Sequence, residues 1–136
     1  MLNDIFDRIV VINLDSRTDR MEFFDKQAKR LGIKYERFPA VVANPPSLPP
    51  TWACKESHIQ VIKQAVKDNV KRLFVFEDDA LFVNDFNEKL EELYAKLPED
   101  WDMFYLGAWH LQYESYVDGL VKMIESYSAH AYGINE

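Results

Sequence analysis

Leu73-Phe74-Val75-Phe76-Glu77-Asp78-Asp79 runs four apolar residues directly into three carboxylates. An unbroken apolar run of this length matches a strand covered on both faces, as in a parallel sheet, rather than the alternation of a half-exposed strand. The triplet then falls at the carboxyl end of the strand, where open α/β sheets place their ligands. Towards the N-terminus, Ile9-Val10-Val11-Ile12 repeats the pattern and predicts a second buried strand. Two helical patterns lie between these strands. Met21, Phe24, Ala28 and Leu31 recur at helical spacing until Gly32 stops them, and Ser16 with Asp19 resembles a capping box, so a helix is expected from about Thr18 to Leu31. Ile59, Ile62 and Val66 mark the second, over roughly residues 52 to 68.

Between those helices, residues 34 to 41 read as extended, and Asn44-Pro45-Pro46-Ser47-Leu48-Pro49-Pro50 reads as a surface loop inside the same domain. Beyond the triplet, Asp85 is placed to cap a third helix that turns Phe86, Leu90, Leu93 and Leu97 inward and ends at Pro98. Residues 103 to 107 predict another strand. The chain after Gly107 is aromatic and loop-like, followed by two expected strands over residues 120 to 124 and 131 to 134. Strands alternating with helices make the class α/β.

Bulk properties bound the function. A chain of 136 residues suits one core and one domain, and 48% hydrophobic residues are ample to fill it. The net charge of -7 argues against nucleic acid as the main partner, because phosphate backbones attract clustered Lys and Arg. The single cysteine, Cys54, forms no internal disulfide, which suits a reducing cytoplasm. The N-terminus lacks the basic start and apolar run of a secretory signal, and no stretch is apolar enough to span a bilayer, so work at a membrane would be a peripheral visit.

Three adjacent carboxylates in a partly buried crevice repel one another and need protonation, basic neighbours or a cation. A divalent ion is the economical answer. On an extended segment Glu77 and Asp79 point one way and Asp78 the other, so Glu77 and Asp79 can share one Mg²⁺ or Mn²⁺, ions that prefer oxygen ligands and bridge phosphates. The competing reading is a solvated acidic turn; four apolar residues leading straight into it weigh against that.

Asn13-Leu14-Asp15-Ser16-Arg17-Thr18-Asp19-Arg20 combines two arginines, an amide and a helix N-terminus, which suit a phosphorylated or nucleoside ligand. An ordinary capped helix start explains Ser16 and Asp19 equally well, and both readings can hold. Cys54-Lys55-Glu56-Ser57-His58 opens the second helix, with His58 either near the ligand or merely bonded to a backbone carbonyl. His130, within Ser128-Ala129-His130-Ala131-Tyr132, is either a further metal ligand or a polar strand residue, and spacing does not decide between them.

Taken in order, these blocks resemble glycosyltransferase family 25, the group containing lipooligosaccharide and procollagen galactosyltransferases. Val11-Ile12-Asn13-Leu14-Asp15 with Arg17, Asp19 and Arg20 is similar to the family's opening block, and Cys54 with Ser57-His58 to its second. Phe76-Glu77-Asp78-Asp79-Ala80, then Trp101-Asp102 with Tyr105-Leu106-Gly107, then His130-Ala131-Tyr132, resemble the blocks that follow.

The resemblance implies a GT-A type fold with a mostly parallel sheet, a nucleotide-sugar donor such as UDP-galactose, a glycan or lipooligosaccharide-type acceptor, and Mn²⁺ or Mg²⁺. By it, Glu77 and Asp79, with His130 as a further ligand, would hold the metal. Asp78 would lie beside the donor diphosphate, Asn13, Arg17, Asp19 and Arg20 would line the nucleotide side, and Ser57 and His58 would sit close to the donor. An acceptor hydroxyl would attack the anomeric carbon with the help of a general base. Asp102 and Glu125 qualify for that role on residue type alone.

Family members usually continue well past the His-Ala-Tyr block, whereas this chain ends four residues after Tyr132. It is expected to be a truncated form, a minimal enzyme completed by homo-oligomerisation, or a remnant that binds nucleotide without transferring sugar. Two other classes fit less well. A response-regulator receiver needs paired acids after its first strand, where this chain has Asn13-Leu14-Asp15. A haloacid-dehalogenase phosphatase needs a D-x-D-x-T pattern that Glu77-Asp78-Asp79-Ala80-Leu81 does not supply.

Overall fold

A computed structural model describes residues 1–45 and 47–136; Pro46, in the proline loop expected from the sequence, lies outside the described residues. In chain order the elements are α1 (Leu2–Ile5), β1 (Arg8–Asn13), α2 (Thr18–Leu31), β2 (Glu36–Pro39), α3 (Pro50–Lys67), β3 (Arg72–Glu77), α4 (Phe86–Tyr94), β4 (Met103–Val117) and β5 (Leu120–Asn135). β1 and β3 pair in parallel, with Ile9 beside Phe74 and Val11 beside Phe76.

The four central residues of each strand are apolar because both faces are covered. Ile9, Val11, Phe74 and Phe76 pack with Phe24, Ala28 and Leu31 of α2 and Leu90 of α4. The alternate residues, Val10, Ile12, Leu73 and Val75, pack with Val61 and Ala65 of α3. Phe74 and Phe76 sit within an aromatic cluster, with Phe24 5.4 Å and Phe82 5.2 Å from Phe76 between ring centres. Burying each such ring contributes roughly 1.5–3 kcal/mol.

Helix α2 spans the residues its spacing predicts. Gly32 closes it at φ 70°, a conformation that glycine adopts without Cβ strain, and Ile33 N–H reaches back to Ala28 O at 2.9 Å. Its start differs from the expected capping box. Arg17 is the N-cap, with no side-chain capping bond, and the Asp19 carboxylate is taken by the Arg17 guanidinium at 2.9 and 2.7 Å.

The sheet runs in the order β2-β1-β3-β5-β4. β1 is parallel to β2 and to β3, whereas β5 is antiparallel to both β3 and β4. The fold is therefore α/β with a mixed sheet, and the expected predominance of parallel pairing does not hold, since the longest ladder is antiparallel. The reason is local. Asp118 and Gly119, the latter at φ 86°, form a tight turn that makes β4 and β5 successive strands of a hairpin.

The aromatic stretch after Gly107, expected as loop, continues β4, and the two short strands expected beyond it are one long β5. Much of the outer hairpin is open to solvent, with Trp109 71% and Tyr127 62% exposed, while its turn comes back against α4, with Gly119 beside Leu93 and Lys96 Nζ donating to Asp118 O at 3.0 Å. Its inner part, residues 131 to 135, inserts beside β3 and brings Tyr132 next to Val75.

Candidate functional site

Glu77 is the last residue of β3 and continues its alternation towards α3. There His58 Nε2 lies 3.0 Å from Glu77 Oε1, and the Cys54 thiol donates to the same oxygen at 3.5 Å. The strand ends at this point. Ala80 N–H closes a turn onto Glu77 O at 3.1 Å, so the extended alternation stops. Asp78 turns towards α2, and Asp79 turns with it rather than following Glu77. Arg20 Nη1 bridges the two, 3.2 Å from Asp78 Oδ1 and 3.2 Å from Asp79 Oδ2. The expected shared orientation of Glu77 and Asp79 is thus undone by one turn.

Asp78 is the buried member, and Asn13 at the end of β1 donates to its Oδ2 at 2.7 Å. Asn13 is itself a junction. Its Nδ2 also reaches Arg17 O at 3.0 Å, and its Oδ1 accepts from Arg37 Nε at 2.8 Å. Arg37 Nη2 goes on to Asp15 Oδ1 at 2.6 Å. Repulsion among the carboxylates is therefore offset within the protein, by Arg20 and Asn13 on one side and His58 on the other. Asp79 keeps the most open carboxylate, with about half its side chain exposed.

Ser57 is fully buried on α3; its hydroxyl donates to Ala53 O at 2.8 Å and accepts from Val41 N–H at 2.9 Å, tying the strand-exit loop to the helix. That loop, the start of α3 and the triplet enclose a cleft of about 540 Å³, lined by Ile12, Arg20, Cys54, His58, Glu77 and Asp79 among others. Arg17 and Asp19 are not among the lining residues, but Arg17 lies near enough to Asp78 and Asp79 for their charges to act on it. His130 lies over Gly107 and lines a different cleft with Trp109, His110 and Tyr113. Asp102 and Glu125 line neither cleft.

The electrostatics follow the contacts. The hydrogen bond from His58 holds the Glu77 carboxyl below the usual carboxylate range against the opposing effect of desolvation, and the charge of His130 helps as the least of the causes. Desolvation, reinforced by Glu77, pushes the Cys54 thiol up to about 11, so a neighbouring carboxylate keeps it protonated. Burial raises the Tyr132 hydroxyl well above the usual phenol range. The Arg17 bond lowers Asp19 to about 2.

Two participants have roles that the blocks do not assign, Arg37 lying outside every block and Tyr132 closing the last of them. Tyr132 places its hydroxyl 2.8 Å from His58 Nδ1, completing a chain from Tyr132 through His58 to Glu77. Arg37 buttresses Asn13 from β2. The signal available for Arg37 was its position in the short extended stretch between Glu36 and Phe38, and for Tyr132 its place two residues beyond His130. Neither residue type names a partner 74 or 24 positions away.

A family model described as glycosyltransferase family 25 (LPS biosynthesis protein) matches residues 50–132. Procollagen galactosyltransferase 2 of Homo sapiens is 25% identical over 135 residues, which cover 93% of this chain and 21% of the relative. Procollagen galactosyltransferase 1-A of Xenopus laevis is 28% identical over 134 residues, 79% of this chain and 22% of the relative. A Bos taurus protein named probable inactive glycosyltransferase 25 family member 3 is 31% identical over 76 residues, 52% of this chain and 13% of its own length. The chain spans about a fifth or less of the length of these curated relatives. The matched span opens on the first residue of α3, closes on Tyr132, and takes in Cys54, His58, Glu77, Asp78 and Asp79, so more than half of the sequence and one whole side of the cleft fall inside it: the chain belongs to glycosyltransferase family 25.

Proposed function

We propose that the cleft is the donor half-site of a GT-A type hexosyltransferase, which takes a UDP-hexose, galactose favoured, and passes the sugar to a hydroxyl of a glycan or lipooligosaccharide-type acceptor. The observation that carries this reading is the convergence, in one cleft at a strand end, of three carboxylates and Arg20 within a family whose named relatives include galactosyltransferases. The family description, LPS biosynthesis protein, supports the acceptor class. One free thiol supports a reducing, cytoplasmic setting.

In this reading Asn13 and Arg20 hold Asp78 in place and present the Arg20 guanidinium to the donor phosphates. Ser57 holds the loop that forms the opposite wall. Mn²⁺ or Mg²⁺ would be held by Asp79, with about half its side chain exposed, and by Glu77, on which the bonds from Cys54 and His58 both fall on Oε1; oxygen donors of this kind suit either ion, and His130, which lines the other cleft, is not brought to them. The cation supplies neutralisation of charge on the departing diphosphate. Asp78 is already occupied by Asn13 and Arg20, and serves as a support.

A second reading is nucleotide-sugar binding without transfer. It is favoured by the name of the Bos taurus relative.

Thermal melts decide. A ligand that binds only the folded state at a hundred times its Kd stabilises by about 2.7 kcal/mol, so Mn²⁺ with UDP-galactose should raise the Tm by several degrees, and Asp79→Ala should abolish the rise. Unchanged melts with every metal and UDP-hexose refute donor binding. A rise without transfer or donor hydrolysis selects the second reading.

A further inference from the structure

Cys54 and His58 are four residues apart on α3, so both side chains leave the same face of the helix. Glu77 meets them from the end of β3. Its Oε1 is 3.5 Å from Cys54 Sγ and 3.0 Å from His58 Nε2, and one ligand atom from each of the three residues lies within 4.8 Å of the others. Around a tetrahedral zinc ion with Zn–S of about 2.3 Å and Zn–N and Zn–O of about 2.0 Å, sulfur and oxygen stand about 3.5 Å apart, and nitrogen and oxygen about 3.3 Å. The two spacings to Glu77 match that geometry to within a few tenths of an ångström.

Two more observations bear on the same atoms. His58 Nδ1 is held by the hydroxyl of buried Tyr132 at 2.8 Å, which fixes the ring with Nε2 turned to Glu77, the arrangement that orients a metal-binding imidazole. All three residues also line the 540 Å³ cleft, so a fourth coordination position would face open space rather than protein. Three protein ligands with one open position are the pattern of reactive rather than purely structural zinc. Asp78 and Asp79, which line the same cleft, are paired with Arg20 rather than with Cys54 or His58.

We propose that Cys54, His58 and Glu77 form a binding site for a borderline transition-metal ion of the Zn²⁺ class. The sulfur donor selects Zn²⁺, Co²⁺ or Cd²⁺ over Mg²⁺ and Mn²⁺. Binding replaces the S–H bond of Cys54 with a sulfur–metal bond and releases the thiol proton to solvent. All three ligands come from the protein, so the site fills without nucleotide and does not rest on the donor reading.

Cys54 is the chain's only cysteine and is exposed, so reaction of the whole chain with a disulfide reagent such as dithiobis(nitrobenzoate) reads one thiol. Equimolar Zn²⁺ should slow that reaction roughly tenfold or more, because the metal-bound sulfur is withdrawn from attack, whereas Mg²⁺ and Mn²⁺ should leave it unchanged. Co²⁺ should give a thiolate-to-cobalt charge-transfer band. His58→Gln should remove most of the zinc protection, and Tyr132→Phe should weaken zinc affinity by about tenfold.

An unchanged rate with Zn²⁺ in the parent chain overturns the proposal whether or not any variant folds, and equal protection by Mn²⁺ overturns the metal class. Asp79→Asn should retain zinc protection; a loss equal to that of His58→Gln would move the ion to the carboxylates and overturn the assignment. Donor binding is read separately, by the UDP-galactose melt, so either result can fail alone.

Discussion

Replacing Asn13 by leucine keeps a side chain of similar shape and removes all its hydrogen bonds. Asn13 is 2% exposed and joins Asp78, the Arg17 carbonyl and Arg37 through bonds of 2.7, 3.0 and 2.8 Å. The bond to the buried Asp78 carboxylate is the largest of the three, at roughly 1.5–3 kcal/mol for a charged partner. Arg37 and the Arg17 carbonyl are reachable by water and add about 0.5 kcal/mol each. A loss of about 3 kcal/mol at this chain length lowers the Tm by roughly 10 °C.

Urea unfolding followed by circular dichroism should show that loss with little change in slope, since the folded state stays compact. The decisive measurement is a double-mutant cycle with Asp78→Ala. Two buried partners sharing a charged hydrogen bond should couple by at least about 1 kcal/mol, whereas independent sites add to within about 0.5 kcal/mol. Additivity would mean that Asn13 and Asp78 do not meet, and the account of how the β1 end buttresses the triplet would fall with it.

Gly133→Ala places a methyl carbon 2.5 Å from Phe6 Cε1 and Cζ, and Phe6 is wedged edge-on against Phe74 at 4.9 Å, so the strain should cost about 1–3 kcal/mol in urea unfolding and be partly relieved by Phe6→Leu. Ser57→Ala leaves the Val41 amide without its acceptor; stability should fall by about 1–2 kcal/mol, and exchange at Val41 should quicken more than at β3 amides. Carboxyl NMR should find Asp19 titrating at about 2 in the folded chain against 3.8 for the free group. With the folded value lowered, the Arg17–Asp19 pair contributes stability above pH 3.8 that is lost as pH falls towards 2, and Asp19→Asn should flatten that acid limb. A folded midpoint at the ordinary value would show that the pair is not formed.

What the sequence made legible follows the reach of each signal. The apolar runs at Ile9-Val10-Val11-Ile12 and Leu73-Phe74-Val75-Phe76 announced strands buried on both faces because burial on two sides leaves no polar positions. Helix α2 was bounded by spacing and Gly32, and the carboxylates stood at the strand end. Strand direction carries no such mark. Leu120 onwards reads the same whether it returns parallel or antiparallel, and only Asp118-Gly119, a common tight-turn pair, told against loop structure there.

The bulged, irregular register of β4 against β5 blurred the alternation that would have marked the hairpin. In the site, the orientation of Asp79 turned on one hydrogen bond from Ala80, and the partners of Asn13 lie 65 and 24 positions away. Such contacts exist only once the sheet is assembled.

The late position of β5 sets an order of assembly. Residues 1–102 contain β1, β2, β3 and α3, and during synthesis they emerge with one edge of β3 bare and His58 Nδ1 without the Tyr132 hydroxyl. Only when the second arm of the hairpin slots in beside β3 does that edge close and the histidine lock. A nascent chain can thus gather its carboxylates early yet stay unable to align His58, and the face of the cleft that carries His58 is completed only once β5 has joined the sheet.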